Sequence, residues 1–176
     1  AGTGSGDDFP GSSPFVSPPN GWGNDGGSGR DNSGPAPYSG GGGGGASEAG
    51  AGPTQGNYGG RGMQLSPTFR DPSQSIGAPG EVGYGAPQPG RYFAAGGGGT
   101  RTNTPPLSGS GAGVGGVGGG GWGGSNPAKP PGTPAGSGTD ADVNTGSGGG
   151  GGDLNNDAAS RGGRGGSGIV LIAYPS

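Results

Sequence analysis

The sequence predicts an irregular fold with little regular α or β structure. It is expected to be a bundle or sandwich of glycine-rich polyproline II helices with one short C-terminal β-strand and no α-helix. Three observations carry this. Glycine and proline number 56 and 19 of 176 residues. The glycines fall in uninterrupted runs, Gly40 to Gly45, Gly96 to Gly99, Gly118 to Gly121 and Gly148 to Gly152. The chain closes on a compact apolar stretch, Ile169 to Tyr174.

The first observation removes ordinary folding routes. Leu, Ile, Val and Phe together supply only 17 residues, too few for a side-chain core around so much backbone. Ordering a residue costs about 1–2 kcal/mol, and glycine has the most freedom to lose. The apolar side chains cannot offset that, so backbone hydrogen bonds must. Charge repulsion does not drive this composition: 8 basic and 11 acidic residues leave a net charge of -3.

The runs suit polyproline II, with about three residues per turn, about 3.1 Å rise and no internal hydrogen bonds. Helix is disfavoured by about 1 kcal/mol at each glycine and about 3 at each proline. Side by side, glycine segments approach closely and bond through N–H···O=C. The absence of a Gly-X-Y period excludes collagen.

Residues 1–39 read as a Pro/Gly/Ser-rich extended arm with isolated aromatics, Phe9, Phe15, Trp22 and Tyr38. Residues 40–176 read as the polyproline II domain. Its core is expected to draw on Met63, Leu65, Phe69, Ile76, Val82, Tyr84, Tyr92 and Phe93, together with the C-terminal strand. Trp122, with Val114 and Val117, is expected to pack against that strand. Run and loop then alternate, giving display loops at 100–110, 125–143 and 153–160. If stretches 96–99, 111–124, 145–152 and 161–168 alternate in direction, loops 100–110 and 153–160 share one end. Loop 125–143 and the C-terminus then share the other.

Composition also excludes functions. There is no Cys and no His, so no disulfide, no thiolate metal site and no histidine general base. No nucleophile–base pair is present, and no enzyme activity, metal or cofactor is expected. No apolar stretch approaches the roughly 20 residues of a membrane span, so no membrane insertion is expected. No signal-peptide pattern is visible, and the sequence opens on Ala1 as a processed or partial chain does.

Gly-x-Gly-x-x-Gly matches, such as Gly113, Gly115 and Gly118, follow from glycine abundance and lack strand–helix context. Asp140 with Asp142, and Asp153 with Asp157, read as polar loop residues rather than a calcium loop. Arg161-Gly162-Gly163-Arg164-Gly165-Gly166 and Tyr58-Gly59-Gly60-Arg61-Gly62 look like RGG boxes. The acidic balance opposes phosphate binding, so no nucleic-acid partner is expected.

The ending Gly165 to Pro175 resembles the terminal signature of glycine-rich domains in tail-fibre and related virion proteins of marine and cyanobacterial phages. Gly62-Met63-Gln64-Leu65 with Thr68-Phe69-Arg70 is similar to that family, as are Arg91 to Ala95 before Gly96–Gly99. So is Asn144 to Ser147 before Gly148–Gly152. The resemblance covers roughly 40–176. It implies a non-enzymatic component of the virion exterior, at a tail fibre or capsid surface. There, a polyproline II sandwich displays variable loops to a host-surface receptor, a glycan or an outer-membrane protein. Receptor-contact candidates are Arg101, Asn103, Leu107, Asn155 and Asn156. Partners are then other virion subunits, with a homotrimer expected for a chain so poor in core. The first alternative is a structural fibre or decoration subunit without a receptor role. The second is a disordered RGG-type RNA-binding segment. An ice-binding face, a more distant alternative, is opposed by the irregular loops.

Overall fold

Glycine hydrogen-bonded to glycine, rather than side chain packed on side chain, organises this chain. The computed structural model describes residues 23–29, 39–52, 56–65, 76–80, 90–100, 113–124, 136–153, 160–172 and 174. Among these there is no helix, and regular structure is limited to three short strands. They are β1 (Met63–Gln64), β2 (Ala78–Pro79) and β3 (Arg91–Phe93). They form an open antiparallel sheet in the order β1-β3-β2. Phe93 faces Met63 in register, while Tyr92 faces both Gln64 and Ala78.

The remaining described chain consists of extended runs that bond to one another. The bonds recur at every third residue. Gly40, Gly43 and Ala46 donate to the carbonyls of Thr100, Gly97 and Ala94. The partner number falls by three as the donor number rises by three, so runs 39–46 and 94–100 are antiparallel. Gly121 and Gly124 donate to Gly148 and Gly151, making 119–124 and 145–153 parallel. Gly138 and Ala141 donate to Arg161 and Arg164 in the same sense. Thr139 and Asp142 donate to Trp122 and Gly119, and Gly163 and Gly166 to Gly150 and Ser147, in the opposite sense. Followed along the chain, successive runs alternate in direction.

Within 96–99 and 148–152 no glycine has a left-handed φ. Those conformations sit at reversals, as at Gly118 (φ 117°) and Gly119 (φ 90°). There the stretch expected as a single run, 111–124, folds back into a hairpin. A residue with a Cβ at either position would be strained. Glycine serves a different purpose inside the runs. A Cβ on Gly96, for example, would overlap the Gly43 carbonyl oxygen, and one on Gly150 the Trp122 carbonyl oxygen.

The side-chain core is small and lies at one end of the bundle. Buried apolar residues there include Ala78, Tyr92, Phe93, Ala95 and Val117, while buried Val114 lies one repeat further along its run. The space beside Gly119 is bounded by Ala78 and Thr145, and that beside Gly118 by Tyr92 and Ala95. The sheet therefore caps the 117–119 turn. Ser147 locks this region: its Oγ donates to the Gly118 carbonyl at 2.6 Å and accepts from the Ala95 N–H at 3.0 Å. Of the expected core residues, Tyr92 and Phe93 are in place. Met63, Leu65 and Ile76 are half-buried, and Phe69, Val82 and Tyr84 lie outside the described residues.

Two expectations are corrected. The C-terminal β-strand is not formed, since 169–172 belong to no strand. Val170, Ile172 and Tyr174 are 84%, 68% and 82% exposed and contribute nothing to this chain's core. No described backbone bond pairs 169–172 with either edge of the sheet, β1 or β2. Trp122 does not pack against that segment either. Trp122 is level with Thr139 through their mutual bonds. Thr139 is level with Gly163, and Ile169 follows Gly163 by two further repeats.

Candidate functional site

Alternation of direction sends the chain's connections to opposite ends of the bundle. At one end lie the tight turns 117–119 and 143–146, the small sheet and the C-terminal segment. Gly62 N–H donates to Val117, Ala94 N–H to Thr145, and Gly146 N–H to Ser167, tying these pieces together. Ser167 Oγ accepts from the Asn144 N–H at 2.8 Å and donates to Asn144 Oδ1 at 3.1 Å. Exposed Val143 (74%) therefore sits on the turn bonded to the residues just before Ile169 and Val170.

At the other end lie the residues that flank three further connections. Thr100 precedes 101–112 and Gly113 follows it. Gly124 and Gly136 bracket 125–135, and Asp153 and Ser160 bracket 154–159. These flanks are bonded to one another or to near neighbours. Asp153 N–H donates to Gly136 (2.6 Å), Gly124 N–H to Gly151 (2.8 Å), and Gly151 N–H to Gly98 (3.0 Å). Asn57, fully buried with φ 56°, joins the same end. Its Nδ2 donates to the Thr100 carbonyl at 3.3 Å, and its carbonyl accepts from Gly99 N–H at 2.7 Å.

The receptor-contact candidates Arg101, Asn103, Leu107, Asn155 and Asn156 lie outside the described residues. Their attachment points, Thr100 and Asp153, belong to the same end, as the alternation argument requires for loops 100–110 and 153–160. The loop expected over 125–143 is different. Residues 136–142 are a run, bonded on both sides, and 143–146 is a turn. What remains, 125–135, is attached at the same end as the other two rather than beside the C-terminus. The cause is the hairpin at 117–119, which adds one reversal that glycine content alone does not reveal.

The charged groups in the described runs make few direct contacts. Arg61 Nε lies 3.7 Å from Glu48 Oε2, beyond hydrogen-bond range and partly exposed, an interaction worth little. Asp140 Oδ1 accepts the Arg164 N–H at 2.7 Å, so this carboxylate caps backbone. Arg161 and Arg164 are exposed, yet their carbonyls are bonded into the bundle. Among the described residues no group of acidic side chains is arranged to hold a metal ion. No helix among them is long and apolar enough to cross a membrane. The sequence reading missed the exposed apolar C-terminal segment as a surface, because six apolar-rich residues in a row look like a buried strand. No protein-family model, characterised protein or solved structure matches this chain.

Proposed function

We propose that this protein is a non-enzymatic component of a phage fibre or tail tip. Its backbone bundle displays loops to a host-surface receptor, a glycan or an outer-membrane protein. The observation that carries this reading is the sorting of connections. The described flanks of 101–112, 125–135 and 154–159 gather at one end, and an exposed apolar segment lies at the other with the small sheet. A scaffold with display at one end and attachment at the other suits a receptor-binding tip. Loops borne on a rigid frame vary without disturbing it. Arg101, Asn103, Leu107, Asn155 and Asn156 are the proposed contacts. The apolar end is the proposed seat of other virion subunits, in a homotrimer.

The runs themselves are proposed to be polyproline II helices. Bonding at every third residue supports this, because about three residues per turn returns the same face to the same neighbour. The absence of left-handed φ inside 96–99 and 148–152 supports it too. NMR dihedral restraints near −75° and +145° at Gly97 to Gly99 are the expected result. Fully extended β values there would overturn it.

The receptor role is tested on virions. Replacing Arg101, Asn103, Asn155 and Asn156 together by serine should slow host adsorption by at least about tenfold, the loss of roughly one good polar contact. Amide protection in 96–99 and 148–152 should stay unchanged. Normal incorporation with unchanged adsorption would instead support a purely structural subunit, the reading that the exposed apolar end also suits.

A further inference from the structure

Connection 101–112 is held at both of its described flanks by one corner of the chain. Gly56 and Asn57 are consecutive residues with left-handed φ, 91° and 56°. The Gly56 carbonyl accepts the Gly113 N–H at 2.7 Å, and Gly113 is the residue that follows the connection. The Asn57 carbonyl accepts the Gly99 N–H at 2.7 Å. The Asn57 side chain reaches one residue further, its Nδ2 donating to the Thr100 carbonyl at 3.3 Å. Thr100 precedes the connection. Two neighbouring residues therefore clamp its entry and its exit.

The side chain sets this corner apart from the repeating part of the bundle. Along run 94–100, the carbonyls of Ala94, Gly97 and Thr100 each accept one N–H from run 39–46. Among the described residues, Thr100 alone of these three accepts a second bond, and the donor is Asn57 Nδ2. A carbonyl oxygen has two acceptor sites. Both are filled at the root of the connection, and one at each repeat behind it. A carbonyl held by one donor can pivot about that bond. Held by Gly40 from one run and by Asn57 from another, the Thr100 carbonyl is fixed in direction.

A left-handed φ does not require asparagine, since glycine adopts it more readily. Asparagine tolerates it and still carries a donor. The donor comes at a cost. Asn57 is 0% exposed, and its Oδ1 is buried without a hydrogen-bond partner. A buried amide satisfied on one side only contributes little net stability. Its effect falls on the placement of Thr100 instead. We infer that Asn57 is the positioning residue for connection 101–112: it fixes where the connection leaves the bundle, and so how Arg101 and Asn103 meet the receptor. The role at the receptor rests on the loop-display reading. The clamp itself rests on the bonds to Gly99, Thr100 and Gly113.

Asn57→Gly in the full chain tests this, because it keeps the left-handed φ and removes the side-chain donor. Its melting temperature should stay within a few degrees of the parent's, with amide protection at Gly96 and Gly98 unchanged. The Thr100 order parameter should fall from about 0.85 toward about 0.6. The resonances of Arg101, Thr102 and Asn103 should move, while those of Asn155 and Asn156, on another connection, should not. On virions, Asn57→Gly should slow host adsorption about tenfold. Added to Arg101→Ser with Asn103→Ser, it should slow adsorption by less than about a further twofold. A general loss of folding would not give that non-additivity. The parent chain supplies a check that needs no variant. There the Asn57 side-chain amide protons should exchange at least about 100-fold more slowly than those of exposed Asn144. Equal exchange at the two side chains overturns the inference. So do unmoved resonances at Arg101 to Asn103 in Asn57→Gly, and so does a full further tenfold loss in the combined variant. Normal adsorption by Arg101→Ser with Asn103→Ser overturns the display reading instead, and the resonances of Arg101 to Asn103 then decide the clamp.

Discussion

Gly96→Ala and Gly150→Ala should each abolish the folded state, whereas Gly168→Ala should leave it intact. The three substitutions add the same methyl group. They differ only in where it goes. At Gly96 it would overlap the Gly43 carbonyl oxygen, and at Gly150 that of Trp122. Neither obstacle is a flexible side chain; each is the backbone of an adjacent run. Relief requires separating runs that are bonded throughout. Gly96 N–H donates to Gly60 and its carbonyl accepts from Gly116. Gly150 donates to Thr139 and accepts from Gly163. Separation at one residue therefore breaks contacts to two further runs. We expect a loss above about 4 kcal/mol, at the far end of single substitutions and a large share of a typical domain's stability. At Gly168 nothing lies within 4 Å of the new methyl, and the change should stay within about 0.5 kcal/mol. Thermal unfolding followed by amide NMR distinguishes them. A Gly96→Ala protein that melts within a few degrees of the parent would show that the runs are not packed backbone to backbone.

The second large effect is on assembly. Val170→Asp with Ile172→Asp should convert an oligomer into monomers without changing the protection of the glycine runs. Ile169, Val170, Ile172 and Tyr174 stand exposed beside exposed Val143, at the end of the bundle away from connections 101–112, 125–135 and 154–159. Burying one such side chain contributes about 1.5–3 kcal/mol. Losing two should raise the dissociation constant by at least about 100-fold. The runs should not respond, because this segment contributes no described backbone bond to them. Sedimentation or native mass measurement decides it. A parent chain that is monomeric at all working concentrations would remove the proposed trimer. Loss of run protection in the double variant would mean that the segment packs on its own bundle after all.

These expectations separate what was legible along the chain from what was not. Glycine runs mark where backbones can touch, since only residues without a Cβ permit the approach seen at Gly96 and Gly150. Tyr92 and Phe93, apolar groups just before a glycine run, mark the framework where the sheet meets the bundle. The absence of helix among the described residues follows from glycine and proline content. Composition alone determined this much, because each is a property of single residues and their immediate neighbours. The number of reversals was not local. The 117–119 hairpin sits inside Val117-Gly118-Gly119-Gly120, a string that serves equally well as the middle of a straight run. Only tertiary bonding, Gly123 to Gly113 and Asp142 to Gly119, selects the turn. That one reversal decides which end receives 125–135. The fate of Ile169 to Tyr174 was equally undetermined, because an apolar stretch needs burial without specifying where. In this fold no described strand pairs with it, and the tertiary structure leaves it outside as a surface.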